Sequence, residues 1–314
     1  MKVSIITPSF NQSRYLEQTI RSVLQQDYPD LEYFIIDGGS TDSSVEIIRK
    51  YEEKLAGWVS EKDRGQAEAI NKGIRASSGE IVAWLNSDDI YLPGAIQKAV
   101  QIFQQHPEAG LVYGNVISID ENARPFNLQT FQPYTLKDLM SFRIISQPAV
   151  FMRRTVLEQV GLLDLSYHYL LDHHLWLRMV QHAPSAYVPQ TLAAARYHAE
   201  AKNLAHTLEF GREAFRMVDW MATDSRFSSL FRQHYRRILA GAHRLDAFYL
   251  LDGGFYARSL VAYARAFRYN PGVVLPEMHR VLYAFLAPLG LNRLRPLYTH
   301  VRSILRKHSL NTKH

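Results

Sequence analysis

The chain has 314 residues, 47% of them hydrophobic, with a formal charge of +6, which is enough for a sizeable core and one or two domains. It has no cysteine, which excludes disulfides, zinc–thiolate centres and thiol catalysis. The N-terminus enters a strand pattern at once without signal-peptide architecture, and the stretch from Val281 to Leu291 is too short to span a bilayer and is broken by Pro288 and Gly290, so a cytoplasmic protein is expected.

The first half alternates strand and helix. Val3 to Thr7 is predicted to be a short buried strand, and Leu16, Ile20, Val23 and Leu24 recur at helical spacing behind it. Tyr33 to Ile36 is the next strand, followed by a short helix carrying Val45, Ile47 and Ile48. Gly65 to Ser77 reads as a helix with Ala67, Ile70 and Ile74 inward. Ile81 to Leu85 is a strand, Ile96, Val100 and Phe103 face inward on the helix after it, and Leu111 to Ile119 and Ala149 to Met152 are further strands. This order argues for an α/β fold with a mostly parallel central sheet flanked by helices. After about Pro189 the character changes, and from Leu204 onward the pattern is helical, with breaks near Asp252-Gly253-Gly254 and Asn270-Pro271. Residues 1–203 are expected to form the α/β domain and 204–314 a C-terminal helical extension.

Polar clusters stand at four strand ends: Thr7-Pro8-Ser9-Phe10-Asn11, Asp37-Gly38-Gly39-Ser40, Asn86-Ser87-Asp88-Asp89 and Gly114-Asn115. In a parallel sheet such ends share one edge, where ligands bind, so the four are expected to converge on one crevice. The sharpest is Val82-Ala83-Trp84-Leu85-Asn86-Ser87-Asp88-Asp89, an apolar strand running into adjacent carboxylates, hard oxygen ligands suited to Mg²⁺ or Mn²⁺ holding a diphosphate. The same residues also make good turn and cap chemistry. Asp37 could accept hydrogen bonds from a base or ribose, while Gly38 and Gly39 let the backbone turn sharply. No P-loop and no G-x-G-x-x-G fingerprint is present.

Five segments in order resemble family 2 glycosyltransferases of the GT-A fold, WcaA-like bacterial sugar transferases among them: Ser4 to Asn11, Ser22 to Pro29, Ile36 to Asp42, Asp63 to Gly73 and Gly79 to Asp89. The resemblance covers about the first two-thirds of the chain. It implies inverting transfer of a sugar from a nucleoside diphosphate, UDP above the others, to an acceptor hydroxyl. It further implies that Thr7, Pro8, Ser9, Asn11, Asp37, Gly39, Ser40, Asp63, Gln66, Asn71, Asn86 and Ser87 line the nucleotide-sugar pocket, Asp37 at the position that reads the base. Asn86 stands where the family's aspartate-x-aspartate motif has its first Asp; it can still bond a ribose hydroxyl but brings no charge. Asp88 falls at the metal position, with His198 matching a position that can complete the coordination of Mn²⁺ or Mg²⁺ or touch the diphosphate; a surface histidine is the plainer account of it. Leu171 to Arg178 resembles the segment carrying the general base, which points to Asp172; capping of its helix is the plainer account of that residue. Gln147 and Pro148 look like the acceptor-side segment. Trp176 suits either the core or a sugar-stacking acceptor surface.

Two other classes compete: a nucleotide-binding or regulatory module weakened by Asn86, and a sugar-nucleotide pyrophosphorylase, which would need a glycine-rich basic loop where Thr7 to Asn11 has neither Gly nor Lys/Arg. Thirteen arginines fall between Arg226 and Arg306. Such a surface suits acidic partners or is simply solvated; an anionic membrane surface on the inner face of the plasma membrane is expected, with a glycan or lipid-linked acceptor and no nucleic acid.

Overall fold

A computed structural model describes residues 1–198 and 206–289. The chain divides into two compact units, Met1–Ala201 and Lys202–His314; the expected boundary at 203/204 lies outside the described residues.

In the first unit the strands are β1 (Val3–Ser9), β2 (Leu31–Asp37), β3 (Gly57–Ser60), β4 (Ile81–Trp84), β5 (Ile90–Tyr91), β6 (Leu111–Ile119), β7 (Pro125–Gln129), β8 (Val150–Arg153) and β9 (Ser185–Arg196). The helices are α1 (Ser13–Leu24), α2 (Ser44–Arg49), α3 (Gln66–Ala76), α4 (Ala95–Gln105), α5 (Leu136–Met140), α6 (Arg154–Val160) and α7 (Leu171–His182). They surround one mixed sheet of order β3-β2-β1-β4-β8-β6-β9-β5, with β7 paired to β6. The half formed by β3, β2, β1 and β4 is parallel throughout, whereas β8 runs antiparallel to both β4 and β6. All seven residues of β1 are buried, as a strand covered on both faces requires.

The pleat sorts the two faces. Ile5, Ala83 and Leu85 join Leu16 and Ile20 of α1 in one core. On the other face Ile6 meets α3 so closely that a Cβ at Gly73 would lie 2.5 Å from the Ile6 side chain, and Trp84 stacks on Trp176 of α7 with ring centroids 5.2 Å apart.

The expected strands and helices of this half are present, and β3, β5, β7 and β9 are additional to them. β9 runs straight through Pro189, where the sequence pattern breaks. Val188 pairs with Gly114 and Thr191 with Asn115, so Pro189 and Gln190 bulge out of the ladder and the missing proline N–H is not required there. The same bulge corrects the fourth polar cluster: Gly114-Asn115 lies inside β6, not at its end. Asn115 Oδ1 accepts from Phe131 N at 3.0 Å and from the Tyr187 hydroxyl at 2.8 Å.

The second unit is helical, with α8 (Thr207–Thr223), α9 (Ser228–Asp252), α10 (Tyr256–Tyr269), α11 (Pro271–Val274) and α12 (Met278–Leu286); breaks fall at the two expected places, and a further one at 224–227 separates α8 from α9. Its core gathers Ala247, Leu250, Ala262, Tyr263, Ala266 and Val274, and Glu277 accepts from Arg244 and the Tyr263 hydroxyl, each at 2.9 Å. Among the described residues no helix is long and apolar enough to cross a membrane.

Candidate active site

Three strand ends, those of β1, β2 and β4, meet at one edge of the sheet. The first two are sewn together: Asn11 Oδ1 accepts Thr41 N at 2.8 Å, and Ser40 Oγ accepts Asn11 N at 2.8 Å. Asn11 adopts the left-handed region with φ 51°, which Asn tolerates better than most residues.

Asp37 is fully buried. Its Oδ2 accepts Gly39 N at 3.1 Å, Ser40 N at 2.8 Å and Ser60 Oγ at 2.7 Å, and its Oδ1 accepts Ser40 Oγ at 2.5 Å. The carboxylate thus shapes the loop after β2, and the exposed polar atoms there belong to that loop. Asp63 lies over the same turn: a Cβ on Gly38 would come 2.9 Å from its Oδ2, while Oδ1 accepts Gly65 N at 2.8 Å. Ser9, paired in register with Asp37, buries an Oγ with no hydrogen-bond partner.

Three expected pocket residues need correction. Thr7 turns into the core, where its hydroxyl lies 2.9 Å from that of Tyr33. Both ends of the Asn71 amide are held by the Leu163 backbone, at 2.8 and 3.0 Å, so it clamps α3 to the segment before α7. Trp176 is fully buried against Trp84 and offers no face to an acceptor. Gln147, in a short 3-10 helix with Pro148, donates to Trp84 O at 2.8 Å and buries an Oε1 without a partner.

The turn after β4 carries the charge. Ser87 is buried in it. Asp88 Oδ2 lies 3.0 Å from His198 Nε2, their side chains 20% and 4% exposed, and the imidazole packs against Tyr15 of α1 at 4.9 Å. Asn86 sits in a relay: its Oδ1 accepts Gln66 Nε2 at 2.7 Å and its Nδ2 donates to Asp89 Oδ2 at 3.2 Å. Asp89 is buried and also accepts Arg196 N at 2.9 Å; burial first, then the neighbouring Asp88 charge, pushes its carboxyl well above the usual carboxylate range.

Arg196, unassigned in the sequence reading, holds this corner together. Its Nε donates to Asp88 O at 2.9 Å, Nη1 to Asp120 O at 3.1 Å and Glu121 O at 3.3 Å, and Nη2 to Gln18 Oε1 at 2.6 Å. Its guanidinium lies 4.7 Å above the Tyr15 ring. The signal was available: Leu192-Ala193-Ala194-Ala195-Arg196 is an apolar run ending in charge, the same pattern that marked Asp88.

Asp172 lies in the first turn of α7, half-buried, with Oδ1 accepting its neighbour's N–H at 2.7 Å. It is not the N-cap, which is Leu170. One helical turn separates it from Trp176 on the same face, and Trp176 stacks on Trp84, the last residue of β4. His173 behind it is fully buried, bonded through Nε2 to Leu139 O at 2.9 Å, and burial lowers its pKa to about 4; the ring is neutral. His174 stacks on Tyr167 at 4.4 Å.

The donor set fits a divalent cation only in part. Asp88 Oδ2 and His198 Nε2 are an oxygen and a nitrogen side by side, now bonded to each other, and no group of three or more His, Asp and Glu gathers among the described residues. Mg²⁺ or Mn²⁺ held here would take its other ligands from phosphate oxygens and water, its usual manner at nucleotide sites.

Residues 4–161 match the family Glycosyl transferase family 2. An uncharacterised glycosyltransferase of Nostoc sp. is 34% identical over 176 residues, 52% of this chain and 54% of that protein. TuaG of Bacillus subtilis, named for teichuronic acid biosynthesis, is 29% identical over 59% of this chain and 74% of its own length. Among the first relatives the chain spans 54%, 34% and 66% of their lengths. Of solved structures, Staphylococcus aureus TarS 1–349 in complex with UDP-GlcNAc superposes with TM-score 0.61 at 16% identity, over 87% of this chain and 92% of that one. The mannosyltransferase PcManGT of Pyrobaculum calidifontis, with GDP-Man and Mn²⁺, gives 0.61 at 22%, over 98% and 86%. At such identities these likenesses show the fold, which is of the expected GT-A type.

Proposed function

The chain belongs to glycosyl transferase family 2, and we propose that it moves a sugar, with inversion, from a UDP-linked donor to a hydroxyl of a glycan or lipid-linked acceptor in cell-surface polymer synthesis. The observation that carries this reading is the Asp88–His198 pair in the turn after β4, the strand whose Trp84 stacks on the helix that carries Asp172 in its first turn. The relatives' names support the donor and polymer classes: TarS with UDP-GlcNAc, TuaG with teichuronic acid.

In this reading the sewn loops after β1 and β2 receive the nucleoside, with Pro8, Ser9, Asn11, Gly39 and Ser40 supplying shape and polar atoms and Asp63 bracing them from beneath. Gln66, Asn86 and Ser87 adjoin the ribose and diphosphate. Asp88 and His198 would hold Mn²⁺ or Mg²⁺, which when bound offsets the charge that builds on the departing diphosphate. Asp172 accepts the acceptor hydroxyl's proton as that oxygen attacks the anomeric carbon, a task suited to a carboxylate within reach of the substrate. Gln147 and Pro148 border the acceptor side. The reaction is assigned to the cytoplasmic face of the membrane.

The test is a thermal-shift panel of UDP, GDP, dTDP and CDP, each with Mn²⁺ and with EDTA, on the full chain and on Asp172→Asn. A ligand at about 100 times its Kd adds about 2.7 kcal/mol, a rise of several degrees. The expected result is a metal-dependent shift with UDP in both proteins, and transfer lowered about a thousandfold or more in the variant. No shift with any nucleotide would return the fold to a non-catalytic role; full transfer by Asp172→Asn would remove it as the base.

A further inference from the structure

Helix α12 is built inside out. Its arginine, Arg280, is 5% exposed, within 3.9 Å of Asp252 and with its guanidinium 4.1 Å above the Phe248 ring; Ala284, one turn on, is buried beside it. On the opposite side Met278, Leu282 and Phe285 face outward, the last two 58% and 61% exposed. At 3.6 residues per turn these three fall within about 60° of one another, and exposed Leu275 extends the ridge. A helix on a water-soluble surface turns such a stripe toward the core, and a guanidinium is costly to bury. The reverse arrangement suits a surface whose outer medium is itself apolar.

The surroundings select the partner. α10 packs against α12 and exposes Arg258, Arg265 and Arg268 together with Val261 and Phe267. Neither α10 nor α12 contains an acidic residue. In sequence alone, residues 290–314, outside the described residues, carry six further Arg and Lys and no Asp or Glu. A second copy of this chain would set arginines against arginines, whereas an anionic bilayer supplies phosphates for the guanidinium groups and hydrocarbon for the ridge, the pairing used by interfacial amphipathic helices. Arginine suits that boundary because its stem lies on apolar surface while its head stays at the phosphates.

We propose that the α10–α12 face docks the protein on an anionic lipid surface, with Leu282 and Phe285 seated below the headgroups. The inference is independent of which sugar moves, and its test uses no nucleotide. Full-length protein is floated with vesicles of phosphatidylcholine alone and of phosphatidylcholine with one-third phosphatidylglycerol, at low and high salt. Wild type is expected to float with the anionic vesicles at low salt, and Leu282→Asp/Phe285→Asp to lose at least about tenfold in partitioning with an unchanged melting temperature. In a second variant, Phe285→Trp, the emission gained over wild type (which has four tryptophans of its own) is expected to shift to the blue only when anionic vesicles are added. Failure of the wild type to float, equal flotation of the double variant, or a Phe285→Trp minus wild-type difference emission already blue without lipid would each overturn the proposal, the last by showing that protein covers the ridge.

Discussion

Replacing Arg196 by alanine tests whether the charged turn after β4 is held from β9. The side chain makes four hydrogen bonds, to Asp88 O, Asp120 O, Glu121 O and Gln18 Oε1, and stacks on Tyr15. A hydrogen bond from a charged group contributes about 1.5–3 kcal/mol in a typical setting. Arg196 is itself 4% exposed, and burial disfavours its charged form, so much of that sum is offset. What alanine leaves behind decides the magnitude: buried carbonyls without donors and a cavity over Tyr15, together about 3–5 kcal/mol, the usual cost of removing one partner from a buried charged network. For a unit of 201 residues at about 2–4 °C per kcal/mol, the melting temperature should fall by roughly 10 °C. Arg196→Lys should recover only part, since one ammonium cannot reach carbonyls on the β4 turn and the end of β6 while also bonding α1. The assay is calorimetric melting at neutral pH, followed by the UDP–Mn²⁺ shift at a temperature where the variant is folded; that shift should shrink because the Asp88 backbone has lost its tether. A variant melting within a degree or two of wild type would refute the reasoning.

Two further outcomes follow from buried groups. His173 is held near pKa 4 in the fold by burial, below the ordinary histidine value, so the unfolded chain takes up its proton first as pH falls. Stability should decline from about pH 6.5 to about pH 4 and level off below, by up to about 3 kcal/mol in all. His173→Gln, which keeps a donor for Leu139 O, should flatten that limb of the melting-temperature profile, and an unchanged slope would show that the ring does not carry it. Asn86→Asp, which restores the family's first aspartate, should lower the melting temperature at pH 7.5 more than at pH 5. The new carboxylate would face Asp89 across the 3.2 Å now bridged by the Asn86 amide, at a loss of about 1–3 kcal/mol; equal or higher melting at pH 7.5 would contradict the relay.

Much of the first unit was legible because buried parallel strands write long apolar runs, as in β1 and β4, and because their polar ends fall where an open sheet binds ligands. β9 was not, since Pro189 reads as a break unless one knows that a bulge against Gly114 absorbs it. Trp176 was left between core and surface by the sequence, because a helix face becomes inner or outer only when Trp84, 92 positions away, stacks on it. In the second unit the helical pattern and two of its breaks were readable, but the inversion of α12 was not: Met278, Leu282, Phe285 and Arg280 show the spacing, and only the packing of Arg280 over Phe248 says which side is in.

The motif residues therefore divide by where their hydrogen bonds go. Thr7, Asp37 and Asn71 are committed to Tyr33, to the loop after β2 and to Leu163, and so build the walls. Among the described residues, Asp88 and His198 bond to each other through their side-chain polar atoms, which leaves those atoms to a ligand once the pair opens. Asn86 belongs with the walls by its bonds to Gln66 and Asp89, and this gives its departure from the family pattern a physical cause. A carboxylate at 86 would crowd a third negative charge into a turn where Asp89 already struggles to ionise beside Asp88. An amide there donates to Asp89 and accepts from Gln66 at once, which no carboxylate can do. Asn86 thereby fixes the geometry of the turn while Asp88 alone presents a full charge to the ligand.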